Sequence, residues 1–293
     1  MPFRVRALIV LALASGAAAQ SPMATLTVGI CSSKKAVWTY ADYEAVIEAI
    51  RRAAAAARSP GVAIRFRTFH GNRDCLGHIL KGKVDIARVC PAVYCIAKEK
   101  DPSILLLGKE VDASLPEAMA GVIVVRPESP VRGLEDLAGR RIAFGDEVSA
   151  IGRYLPQALL VDRGIDAGKL AGYSHEGGHL SALRALLRKE CDAASLRAGT
   201  LAKLPREHWV RVVATFARAG TPWIARSGLP EPLTRSIADG LCGLNAENGL
   251  SRIGASRIVT AKDEDFEIVR KAIERAAAFE KKHLRSRKRG DRP

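Results

Sequence analysis

The chain has 293 residues, 48% of them hydrophobic and 26% charged, with a formal net charge of +15. That length and balance can bury one large core or two smaller ones, which excludes disorder as the main state. The positive excess is not a nucleic-acid signature, because aromatic residues make up only 5% and no basic patch is interleaved with stacking rings.

In chain order, Arg4 and Arg6 precede the apolar run Ala7 to Ala14, and the small residues Gly16 to Ala19 follow. This is the pattern of a cleavable signal peptide over 1–19, so the mature chain is expected in the periplasm. Nothing later approaches the roughly 20 apolar residues of a membrane helix, and no membrane insertion is expected. A strand at Leu26–Ile30, a helix at Ala36–Arg58, a strand at Val62–Phe69, a short helix at Asp74–Lys81 and a strand at Val84–Val89 make a β-α-β-α-β start. Strands at Ile104–Gly108 and Met119–Arg126 continue it. A second unit follows: helix, glycine turn and strand over Leu134–Gly145, a helix from Ser149, a helix at Leu180–Arg188 and a strand at Cys191–Leu196. Val210–Phe216 then leads to Trp223–Ala225 and to helices at Pro232–Cys242 and Asp263–Lys281. This alternation predicts an α/β protein of two lobes, each a mostly parallel sheet with helices on both faces, and a ligand at the carboxyl ends of the strands. Lobe one is assigned 25–122 and 223–280, and lobe two 123–222. The last stretch, Lys281–Pro293, holds seven Lys or Arg against one Asp. It reads as a solvated, disordered end or an electrostatic docking segment.

Six cysteines, Cys31, Cys75, Cys90, Cys95, Cys191 and Cys242, are an even number in an oxidising compartment, so one to three disulfides are expected. Cys31 and Cys90 each follow a strand at its carboxyl end and are expected at the cleft, with Cys95 nearby. The alternative is therefore a thiophilic ligand held by free thiolates, since soft sulfur prefers soft partners. His175-Glu-Gly-Gly-His179 has the H-E-x-x-H spacing of a zinc hydrolase. Its adjacent glycines oppose the required helix by roughly 2 kcal/mol, so zinc hydrolysis is the minor alternative. No G-x-S-x-G and no phosphate-binding Gly-Lys loop is present, and neither catalysis, a metal nor a cofactor is expected.

Several motifs occur in an order that resembles the PhnD-like binding subunits of phosphonate, phosphite and phosphate importers. They are Gly121-Val-Ile-Val-Val-Arg-Pro-Glu-Ser129, Leu134-Glu-Asp-Leu-Ala-Gly139, Ala143-Phe-Gly-Asp146, Ser149-Ala-Ile-Gly152, Gly82-Lys-Val-Asp-Ile-Ala87 with Pro91-Ala-Val-Tyr94, and Gly177-Gly-His179 with Cys191-Asp-Ala-Ala194. The resemblance implies a type II periplasmic binding protein that closes on a small inorganic or phosphonate-like anion and docks on an ABC permease. Matched onto this chain it implies ligand contacts at Ser32, Tyr94, Ser149, Gly152, His179 and Asp192, beside Cys31, Cys90 and Cys95. The family's Ser-Thr-Ser-Gly is Ser149-Ala150-Ile151-Gly152 here, with two hydroxyls gone. Some relatives sense arsenite and signal to a membrane histidine kinase, and a cleft poorer in hydroxyls and richer in cysteine resembles that branch.

Overall fold

The computed structural model describes residues 25–31, 36–57, 62–112, 121–203 and 209–290. The expected signal peptide, 1–19, and the expected ligand contact Ser32 lie outside them. In order the elements are β1 (Thr25–Cys31), α1 (Ala36–Ala56), β2 (Ala63–Phe69), α2 (Asn72–Leu80), β3 (Ile86–Arg88), α3 (Pro91–Lys100), β4 (Leu105–Val111), β5 (Gly121–Val125), β6 (Arg141–Phe144), α4 (Leu155–Asp162), β7 (Gly172–His175), α5 (His179–Leu187), β8 (Ala193–Arg197), β9 (Arg211–Phe216), β10 (Thr221–Ala225), α6 (Glu231–Cys242), β11 (Arg257–Val259) and α7 (Glu267–Gly290). Among the described residues no helix is long and apolar enough to cross a membrane.

Two sheets form, ordered β11-β4-β10-β3-β1-β2 and β7-β6-β8-β5-β9. The α/β architecture is as the pattern predicts, but the sheets are mixed rather than mostly parallel. β1, β2 and β3 run parallel, as do β6, β7 and β8. β10 enters the first sheet antiparallel to β3 and β4, and β5 enters the second antiparallel to β8 and β9. The reason is the double crossing of the chain. Each strand that arrives from the other lobe comes in at the cleft edge and so runs backwards. β5 is buried along its whole length, as a central strand covered on both faces must be.

α1 lays Tyr43, Val46, Ile47, Ile50 and Ala54 on the first sheet, the 3–4 spacing of one helical face. α7 buries Val269, Ala272, Ala276 and Phe279 at the same spacing, but not within lobe one, where the pattern assigns it. Its apolar face shares one core with Tyr94 of α3 and with Phe144, Tyr154, Leu155 and Ala158 of lobe two. It therefore straps the lobes together. The basic segment expected as a disordered tail continues α7 to Gly290. Its straight-chain Lys and Arg residues are good helix formers.

Candidate functional site

The parallel strands deliver their carboxyl ends to one seam between the sheets. Register puts Cys31 opposite Phe69 and Ile30 opposite Arg88 in lobe one, and Phe144 opposite His175 in lobe two. Loops leaving these ends meet across the seam. The Asn72 N–H at the start of α2 donates to Asp146 Oδ2 (3.1 Å), and the Ala150 N–H donates to Cys90 Sγ (3.3 Å). An exposed Arg73–Glu147 ion pair also joins the lobes.

Cys90 is the N-cap of α3, with Pro91 at the first helical position, where its missing N–H costs nothing. The N–H groups of Ala92 and Val93 in the first turn of α3 lie near the Cys90 sulfur and favour its charged form. Ala150 begins a π-helical turn, Ala150–Tyr154, that runs into α4. The positive ends of two helices, one from each lobe, thus converge on one sulfur. Burial nevertheless pushes the Cys90 thiol up and outweighs those donors, and it pushes Cys31 up to about 12, with Cys90 and Asp146 adding to the rise and Arg88 opposing it. Both are protonated thiols at neutral pH. The Cys31 S–H donates to Asn72 Oδ1 (3.2 Å).

Ser149 caps the π-helical turn, its Oγ accepting from the Gly152 N–H at 2.9 Å. Gly152 is required for packing: a Cβ there would lie 2.9 Å from Ser149 Oγ and 3.0 Å from the Gly145 Cα. The two glycines lock together through Gly145 N–H to Gly152 O at 2.7 Å. His179, at the start of α5, lies on the same spot, its Nδ1 3.6 Å from where a Gly145 Cβ would stand. That Nδ1 is buried without a hydrogen-bond partner. Burial first, then Arg197, brings the imidazole down to about 4, against the opposing pull of Asp146.

Since an unfolded imidazole titrates near 6.5, the unfolded chain binds more protons than the native one between pH 6.5 and 4. Stability therefore falls as pH drops through that window. A His179→Gln variant is expected to show a shallower loss between pH 7 and 5 in urea unfolding midpoints. Equal slopes would mean that the imidazole is not buried.

Other expected contacts lie elsewhere. Tyr94 is fully buried, its hydroxyl donating to Asp263 Oδ1 (2.5 Å) and its ring packing on Phe266 (4.8 Å). Cys95 is buried too, its S–H directed at the Phe266 carbonyl (3.8 Å). Both hold α3 to the start of α7 and neither faces the seam. Asp192 precedes β8 at its amino end, away from the seam, and accepts from the Arg141 N–H at 2.8 Å. His175 ends β7 and His179 opens α5, so the two histidines do not share a helical face, which removes the zinc-hydrolase geometry. Among the described residues no group of three or more His, Cys, Asp or Glu is placed to hold a metal ion. All six cysteines are free thiols, so the expected disulfides are not formed.

The residues not anticipated are Asn72, Asp146 and Arg88. Asp146 follows the glycine that succeeds β6, and Asn72 begins the helix after β2 much as Ser149 caps the turn after β6. Arg88 is half-buried and gives both Nε and Nη2 to Glu110 at 2.6 Å.

A family model described as ABC transporter, phosphonate, periplasmic substrate-binding protein matches residues 28–266. The phosphate-import protein PhnD of Mycolicibacterium smegmatis is 28% identical over 124 residues, an alignment spanning 39% of either chain. PhnD1 of Prochlorococcus marinus, solved with methylphosphonate, superposes with a TM-score of 0.71 at 15% identity, over 85% of this chain and 96% of that one. A binding-protein component of an ABC phosphonate transporter from Pseudomonas aeruginosa does so with 0.71 at 17% identity, over 85% of each. Two mixed sheets facing one seam, capped helices pointing into it, and a family match running through both lobes lead to one placement: the chain belongs to the phosphonate periplasmic substrate-binding protein family of ABC transporters.

Proposed function

We propose that this chain is exported by its N-terminal signal, captures a small oxygen-ligated inorganic solute in the seam between its lobes, and presents the closed form to a membrane partner. The solute favoured by the geometry is trivalent arsenic, as arsenite. The observation that carries this is the Ala150 N–H to Cys90 Sγ contact at 3.3 Å, which puts sulfur where two helix N-termini meet.

A phosphonate dianion fits that spot poorly. Asp146 brings a carboxylate to it, Ala150 and Ile151 supply no hydroxyl, and the Arg88 guanidinium is already committed to Glu110. Arsenous acid is neutral at neutral pH, so it carries no charge into this setting. Its exchange with a thiol also balances without leaving charge behind. An As–O bond and an S–H bond break, an As–S bond forms, and the proton departs with the hydroxyl as water. Cys90 makes that bond, with Cys31 as the second thiol at the seam. Ser149, His179 and Asp146 meet the remaining hydroxyls. Closure then needs only that the closed form bind the solute better than the open one. The partner is the permease of an ABC importer, or a membrane histidine kinase where arsenite is sensed instead.

A thermal-shift panel of arsenite, arsenate, phosphate, phosphite and methylphosphonate, run in reductant, tests this. A ligand at 100 times its Kd stabilises by about 2.7 kcal/mol. Arsenite is expected to give that response, and Cys90→Ser to lose it. A response to methylphosphonate or phosphate with none to arsenite would reject the arsenic reading and keep the oxyanion one.

A further inference from the structure

The seam has a second end that the sulfur site does not use. Register places it: Arg197 closes β8 opposite Gly121, and Gly121 pairs on its other side with Phe216, the last residue of β9. Two residues on, Arg218 lies in the crossing that leads from Phe216 to Thr221, and Thr221 stands opposite Glu110 while Trp223 stands opposite Arg88. Arg88, Arg197 and Arg218 therefore collect at the edge where the chain passes from one lobe to the other. Arg218 is 7% exposed, and its Nε is buried without a hydrogen-bond partner.

Among the described residues the acidic groups on this edge are Glu110 and Asp112. Glu110 is bound by Arg88 through two hydrogen bonds and by the Trp223 indole N–H at 3.0 Å. Among the described residues three guanidinium groups thus face two carboxylates. The imbalance shows in Arg197, which is held below its ordinary range by burial and then by Arg218 and Arg88, with Glu110 and Asp112 only partly compensating. A buried site with one positive charge in excess and an unmet N–H donor lacks a single negative charge with acceptor oxygens.

We propose that Arg197 and Arg218, backed by the Arg88–Glu110 pair, form a second anion subsite that takes one carboxylate or one singly charged oxyanion. A solute long enough to occupy both ends would carry its negative charge away from the thiols.

Calorimetric titrations of the whole protein with acetate, succinate and inorganic phosphate at low ionic strength test this without arsenite present. At least one of these anions is expected to bind, and its affinity to fall tenfold or more in both Arg197→Gln and Arg218→Gln. Should Arg218→Gln fail to fold, Arg197→Gln and Arg218→Lys decide, the lysine keeping the charge but losing the Nε donor. Absence of binding by all three anions, or affinity unchanged in the arginine variants, would overturn the subsite. Arg197 also bears on His179, so the control is Arg218→Lys: its arsenite response should remain that of the parent, and failure here and failure of the arsenic reading are told apart.

Discussion

Replacing Glu110 by alanine is expected to destabilise the protein by about 3–5 kcal/mol, the cost of stranding one partner of a buried ion pair. The Glu110 side chain is 4% exposed and that of Arg88 16%, so water can do little to screen or replace the interaction. Both Arg88 bonds, at 2.6 Å, end on this one carboxylate, and the fully buried Trp223 indole also donates to it. Alanine would leave a guanidinium and an indole N–H buried without an acceptor. Arg88 is two residues before Cys90, so its displacement should weaken the ligand response as well. Urea unfolding measures the first effect; a loss below 1 kcal/mol would show that Arg88 reaches solvent.

The second large effect belongs to the strap. Phe279 of α7 is fully buried, with its ring edge-on to Phe144 at 5.7 Å and to Tyr173 at 5.4 Å. Phe279→Ala is expected to cost about 3–5 kcal/mol from lost transfer energy and the cavity left behind. α7 packs on both α3 and α4, so the variant should also loosen the hold of one lobe on the other. Small-angle scattering of the unliganded protein should show a larger radius of gyration than the parent. An unchanged radius with the stability loss intact would mean that α7 packs on both lobes without restraining them.

Much of this architecture is legible in the residues, because alternating strands and helices with short connections admit few α/β solutions. The order of β1 to β3 and of β6 to β8, and the meeting of Cys31, Cys90, Ser149, Gly152 and His179, follow from local pattern plus the rule that loops at strand carboxyl ends converge. The antiparallel strands are not legible, since the direction in which β5 and β10 enter depends on two crossings that leave no local mark. α3 shows the same limit at single residues. Cys90 at its head faces the seam, whereas Tyr94 and Cys95, one turn on, face α7. Their partners Asp263 and Phe266 are far along the chain, beyond any window of periodicity. The resemblance puts Asp192 among the ligand contacts, but it precedes β8, whereas Arg197 closes that strand at the seam. The cysteine count predicts staples, but pairing depends on three-dimensional placement, and in the fold Cys90 and Cys95 are occupied by backbone partners rather than by each other.

Sulfur at the meeting point of two helix N-termini is what selects the proposed ligand. The most direct test is calorimetric titration of the reduced protein with arsenite, beside the Cys90→Ser variant checked for parental melting. One arsenite bound per chain, with binding lost in the variant, is the predicted result. Undiminished binding by Cys90→Ser would contradict it.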